Sequence, residues 1–175
     1  MGIENELKYV LRDTGSLEAA LAAVPGVRVE EVFQGYLNPE TRVRRFVSPE
    51  GESLVFSFTR RLPDGANVEI ETELTDAEFG LLWGATEERL CKRRYKVSDD
   101  GVDWDVDFFH EGGEVYIVVA EAEMPEGMAR PARVLPAIEA SVVLAVDRAD
   151  GRFASRRLAS AAYARAVAAE VGAAA

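Results

Sequence analysis

Charged side chains recur at every second position inside the hydrophobic runs of this 175-residue chain. Glu4, Glu6 and Lys8 open the pattern; Arg42 and Arg44 flank Val43, Glu69 and Glu71 flank Ile70, Lys92 and Arg94 flank Arg93, and Glu121 and Glu123 flank Ala122. A period of two is the period of a β-strand, and residues two apart on a strand share a face. Five segments therefore each aim a charged set at one side of a sheet, with the like-signed pairs segregated by strand. One such strand reads as an ordinary solvated face. Five together point to surfaces built for ions, acidic on some strands and basic on others.

The electrostatics are demanding. Carboxylates two residues apart stand roughly 6.6 Å apart from the strand rise alone, and at an effective dielectric near 20 such a pair repels by about 2.5 kcal/mol. Six converging glutamates, Glu4, Glu6, Glu69, Glu71, Glu121 and Glu123, require cations. Oxygen donors without histidine or cysteine favour Mg²⁺, with Mn²⁺ as a substitute, over zinc or copper. The single histidine, His110, falls in the turn-like His110-Glu111-Gly112-Gly113 and is assigned no catalytic role. Cys91 is the only cysteine, so no intrachain disulfide can form.

The length suits one domain, residues 1–175, with 48% hydrophobic residues to supply its core. A net charge of −11 argues against nucleic acid or an anionic membrane as a partner. It leaves room for a small anionic ligand, because clustered arginines and bound metal reverse the sign locally. No leader-like or membrane-spanning apolar segment is read in the chain, so a cytoplasmic location is expected.

Strands are expected at 3–11, 28–37, around Arg42 and Arg44, at 53–60, around Glu69 and Glu71, and at 89–97, 103–109 and 114–124. Pro63-Asp64-Gly65 reads as a hairpin turn, and Thr75-Asp76-Ala77-Glu78 as a capping box opening a short helix whose Phe79, Leu82 and Trp83 pack on the sheet. Further helices are expected at 17–24, 131–140 and 155–171, the last as a cap on the sheet. The fold class is α+β. About eight antiparallel strands suffice to close a barrel, and charges inside one make sense only if the lumen holds water, ions or an anionic ligand.

In order along residues 3–159, Glu4-x-Glu6-x-Lys8, Gln34-Gly35-Tyr36-Leu37, Arg42-x-Arg44, Glu69-x-Glu71, Lys92-x-Arg94-Tyr95, Asp107-x-Phe109 and Glu121-x-Glu123 resemble the motifs of the CYTH superfamily, the triphosphate tunnel metalloenzymes. The resemblance implies an eight-stranded tunnel with flanking helices and metal-dependent hydrolysis of triphosphates, inorganic tripolyphosphate first. The six glutamates would hold one or two divalent ions. Lys8, Arg42, Arg44, Lys92, Arg94 and Arg152 would bind the substrate, and Lys8 and Tyr36 would serve catalysis. Arg152 is carried over from the loose match of Asp150-Gly151-Arg152-Phe153 to a C-terminal motif. Two alternatives stay open, a class IV adenylate cyclase and a non-catalytic polyphosphate or phosphometabolite binder; a possible homodimer is also left open. One departure concerns the site: Thr59 stands where the family usually has a lysine, and the following Arg60 would reach the lumen only through a β-bulge.

Overall fold

The computed structural model describes residues 2–3, 5–61 and 67–174. Glu4 and the turn expected at Pro63-Asp64-Gly65 lie outside the described residues. The strands are β1 (Gly2–Ile3), β2 (Glu6–Leu11), β3 (Arg28–Asn38), β4 (Thr41–Ser48), β5 (Gly51–Arg61), β6 (Asn67–Glu73), β7 (Glu88–Asp99), β8 (Val102–Glu111), β9 (Glu114–Glu123) and β10 (Val142–Val146). They form one antiparallel sheet in the order β1-β6-β5-β4-β3-β7-β8-β9-β2-β10. The eight expected strands are β2 to β9, and two short ones are added.

Those two short strands explain how the sheet curls. Gly2 and Ile3 pair with β6 at one end of the order, whereas residues 6–11 pair with β9 near the other. One stretch of N-terminal backbone thus draws the two margins together. Among the described residues the hydrogen-bonded ring is nevertheless not closed, unlike the closed barrel expected, and the free edge of β2 is taken by β10, with Val142 opposite Leu11 and Val146 opposite Lys8.

Both faces of β2, β8 and β9 are covered, which is why Val106–Phe109 and Tyr116–Ala120 are buried without alternation. On the outer face Tyr9, Trp104, Phe108 and Val118 pack with Leu17 and Leu21 of helix α1 (Leu17–Ala22) and Ile138 of α3 (Pro136–Glu139). On the inner face Val10, Phe109, Ile117 and Val119 meet Phe153, Leu158 and Val167 of the C-terminal segment. Along each of these strands the inner face therefore runs from charged residues to an apolar plug made by α4 (Ser155–Leu158) and α5 (Ala161–Glu170).

The C-terminal helices cap the sheet as expected, but the single helix at 155–171 is two, with Ser160 capping the second through Tyr163 N. The helix expected at 131–140 shrinks to four residues because Pro136 lacks the N–H an earlier helix start would require and fits only the first turn. The capping box at Thr75 and Glu78 forms and starts α2 (Asp76–Gly84). Phe79 and Trp83 stack at 5.5 Å, with Arg89 over the Trp83 ring at 4.7 Å, yet no residue of α2 is buried, so the expected packing on the sheet is only partial. Just after α2, Thr86 presses against β3: a Cβ at Gly35 would lie 2.7 Å from Thr86 Cγ2.

Candidate functional site

Alternation on β7 and β8 puts Lys92 and Arg94 opposite an aspartate row. Register pairs Arg94 with Asp107 and Lys96 with Asp105. Arg94 donates Nε and Nη2 to the two Asp107 oxygens, both at 2.7 Å, and its Nη1 lies 2.5 Å from Asp105. Lys92 Nζ donates to Asp107 Oδ2 at 2.5 Å. Burial, followed by the neighbouring Arg94, pushes the Lys92 ammonium down to about 8 despite that carboxylate. Burial opposes the charge on Asp107 too, but Arg94 and Lys92 outweigh it and hold the carboxyl below its usual value.

A second cluster lies on β4, β5 and β6. Arg42 Nη2 donates to Glu69 at 2.6 Å, and Arg44 Nη2 donates to Ser57 Oγ at 2.7 Å and to Glu71. Burial and the adjacent Arg42 lower Arg44 to about 10. The Nε atoms of both arginines are buried without an acceptor among the described residues. Beside Arg42, Tyr36 Oη accepts from Gln34 Nε2 at 2.5 Å, which leaves its own proton to give. Burial, only partly offset by Arg42, raises the phenol.

The third cluster joins β2 to β9, where register sets Glu6 opposite Glu123 and Lys8 opposite Glu121. Lys8 Nζ bonds Glu121 and lies 3.2 Å from Glu6. Burial disfavours its charge, but Glu121 and Glu6 overcome this and lift the ammonium above its ordinary value. Lys8 is thus held as a cation, which suits anion binding. Burial likewise opposes ionisation of Glu121, yet Lys8, Lys92 and Arg94 drive its carboxyl well below normal. Glu123 shifts the other way, raised by burial and by the like charges of Asp105 and Glu121.

The three clusters surround one cavity of about 400 Å³. Glu6, Lys8, Tyr36, Arg42, Arg44 and Glu69 line it, as do Lys92, Arg94, Glu121 and Glu123. Two expected site residues, Glu71 and Arg152, do not line it, and a third is not among the described residues. Glu4 is outside the described residues, Glu71 is engaged by Arg44 and Ser57 without lining the cavity, and Arg152 is drawn off by Asp150 at 2.8 Å. A 3₁₀ turn at Gly151–Phe153 enforces that local pair, since Asp150 also caps Arg152 N. Arg148 and Arg156 line the cavity instead. Thr59 faces it and donates to Glu69 at 3.4 Å, whereas Arg60 is 63% exposed and faces Glu40 at 3.8 Å. No register shift interrupts β5 there, so the bulge that would turn Arg60 inward is absent.

Among the described residues no three carboxylate, imidazole or thiol side chains gather into a metal-ligand cluster. The donor chemistry nonetheless fits a hard divalent cation. Glu6, Glu121 and Glu123, on the neighbouring strands β2 and β9, are the oxygen donors that could hold such an ion.

No protein-family model matches the chain, and no curated protein matches it significantly. Solved structures do. The inorganic triphosphatase NE1496 aligns with a TM-score of 0.53 at 22% identity over 91% of this chain and 95% of that one. A second structure of NE1496 aligns at 0.54, again with 22% identity, over 89% and 97%. A chain of the Schizosaccharomyces pombe Mediator head module aligns at 0.53 with 10% identity over 74% and 86%. The likeness is one of fold, and that fold occurs both in a triphosphatase and in a Mediator module.

Proposed function

We propose that this chain is a CYTH-superfamily triphosphatase that hydrolyses the phosphoanhydride bond of inorganic tripolyphosphate with the help of Mg²⁺ or Mn²⁺. The observation that carries the reading is the convergence of Lys8, Arg42, Arg44, Lys92 and Arg94 from three strands, β2, β4 and β7, on one cavity, in a protein of net charge −11. Such a concentration of cations suits a compact polyanion. The match in fold to NE1496 supports the choice of reaction. Fold alone does not establish chemistry, so the weight rests on the cavity.

The residues divide the work. Arg42 and Arg44 offer planar guanidinium donors to phosphate oxygens, and Lys8 adds a point charge. Glu6, Glu121 and Glu123 would hold the divalent ion, with Glu4 and Glu69 as further candidates. When bound, that ion neutralises phosphate charge and acidifies a water for attack. Tyr36, its oxygen occupied by Gln34, is left to donate its proton to a phosphate oxygen or to orient the water. Asp105 and Asp107 keep Arg94 in place behind Glu121. Tyr36 is the one aromatic side chain among the described residues that line the cavity, and it is only 7% exposed, so none of them offers an open stacking platform for a nucleobase. Tripolyphosphate is therefore placed ahead of nucleotides.

The test is release of phosphate from tripolyphosphate, thiamine triphosphate, ATP and GTP with Mg²⁺, Mn²⁺ or EDTA. Turnover of tripolyphosphate well above the nucleotides, abolished by EDTA and by Glu121→Ala, is expected. Silence of the folded protein across the panel would replace the hydrolase with a binding module. Cyclic AMP and pyrophosphate from ATP would make it a cyclase.

A further inference from the structure

Arg148 stands apart from the other cations of the cavity. Lys8, Arg42, Arg44, Lys92, Arg94 and Arg156 each meet a carboxylate. Among the described residues Arg148 alone of the cavity-lining cations meets none, and its Nη2 donates instead to the neutral Asn5 Oδ1 at 2.8 Å. Asn5 is itself fixed, because Nδ2 donates to Pro125 O at 2.8 Å and Met128 O at 2.9 Å. With both amide hydrogens committed to carbonyls, the oxygen must face the guanidinium. Arg148 is therefore held in place by a group that leaves its charge uncompensated.

Its position is as informative as its charge. The β10–β2 ladder ends with Val146 opposite Lys8, and Arg148 follows two residues later, at the level of Asn5 and Glu6. Lys8, Arg42 and Arg44 are only 22%, 21% and 11% exposed, whereas Arg148 is exposed. Arg148 thus waits at the mouth while Lys8, Arg42 and Arg44 lie deeper; Arg156, 39% exposed, is the other outer cation, but Glu88 holds it. A guanidinium carries five N–H donors, and Asn5 uses one of them.

We propose that Arg148, positioned by Asn5, binds the outer phosphate of a linear polyphosphate whose inner phosphates occupy the deeper cations, and so makes the cavity discriminate chains of three phosphates from pyrophosphate. The inference rests on the reading of the cavity as a polyphosphate site and specifies which residue reads length. An anion short enough to be satisfied by the deep cations gains nothing from Arg148. One long enough to reach the mouth gains charge-assisted hydrogen bonds there.

The experiment compares Kd and KM for tripolyphosphate and for pyrophosphate, at fixed ionic strength and with Mg²⁺, in the unaltered protein and in Arg148→Gln, Arg148→Lys and Asn5→Ala. Arg148→Gln is expected to weaken tripolyphosphate by about tenfold or more, the usual consequence of losing charged hydrogen bonds, and pyrophosphate by less than about twofold. Arg148→Lys should recover part of the loss, and Asn5→Ala should lose part of the discrimination. Equal weakening of both ligands, or no change in either while the unaltered protein binds tripolyphosphate, overturns the role of Arg148. Failure of the unaltered protein to bind either ligand overturns the polyphosphate reading itself, and the inference with it.

Discussion

Asp107 grips Arg94 through two parallel contacts, Nε to Oδ1 and Nη2 to Oδ2, both 2.7 Å, with the aspartate 1% and the arginine 7% exposed. The same carboxylate takes Lys92. Removing it would leave two buried cations short of a partner, whereas the pair intact offsets its own desolvation. Asp107→Ala is expected to cost about 3 kcal/mol or more, on the order of 6 °C or more in Tm for a domain of this size. Thermal unfolding decides it, and an unchanged Tm would show that the cations find other acceptors.

Lys92 titrates near the working range. With its ammonium at about 8, the cavity loses one positive charge as pH rises through that value, and kcat/KM for tripolyphosphate should fall there. Stability should move the opposite way. The native state releases the proton near 8 and the unfolded chain near the ordinary 10.5, so between the two the unfolded state binds more protons and stability rises with pH. Lys92→Arg should remove both dependences. A pH–rate profile and denaturant titrations from pH 7 to 10.5 test the two signs together.

Thr59 and Arg60 give a paired expectation. Arg60 is exposed and outward, so Arg60→Ala should leave kcat/KM within about twofold, as for an ordinary surface site. Thr59 faces the cavity beside Glu69, and Thr59→Lys would add a cation where an anion is to bind. Binding of tripolyphosphate should tighten by about tenfold, the scale of one charge-assisted hydrogen bond. Calorimetric titration of both variants checks this, and a tenfold loss in Arg60→Ala would refute the outward placement.

Gly35 is the point where β3 touches Thr86, just after α2. A methyl group there meets Thr86 Cγ2 at 2.7 Å and Oγ1 at 2.9 Å, and Thr86 is tied to Trp83 O and Arg89. Gly35→Ala should therefore cost about 1 to 3 kcal/mol through overpacking. Adding Thr86→Ala should recover part of that, giving a favourable coupling in the double-mutant cycle. Additive losses would mean the backbone, and not Thr86, blocks the methyl.

Much of the site was legible because strand alternation is local. Arg42, Arg44, Lys92, Arg94, Glu121 and Glu123 line the cavity as their every-second-residue spacing implies, whatever else the chain does. Glu71 obeys the same spacing and still falls outside the lining, because Arg44 and Ser57 engage it. Arg152 fails for a different reason, since the acceptor nearest in sequence, Asp150, captures it. β10 is not legible in the sequence because the short apolar run Val142–Val146 carries no period that separates strand from helix.

By itself the sequence determined which faces of which strands carry charge, because side-chain direction along a strand is a property of neighbouring residues and needs no partner. Only the tertiary structure decided which charges meet. The pairing of β10 with β2 sets Val146 opposite Lys8 and carries Arg148 to Asn5, across 143 positions of chain, and the same pairing occupies the free edge of β2. Such long-range contacts depend on which edge is free when the sheet curls, and the edge that β2 offers is set by every other strand in the order.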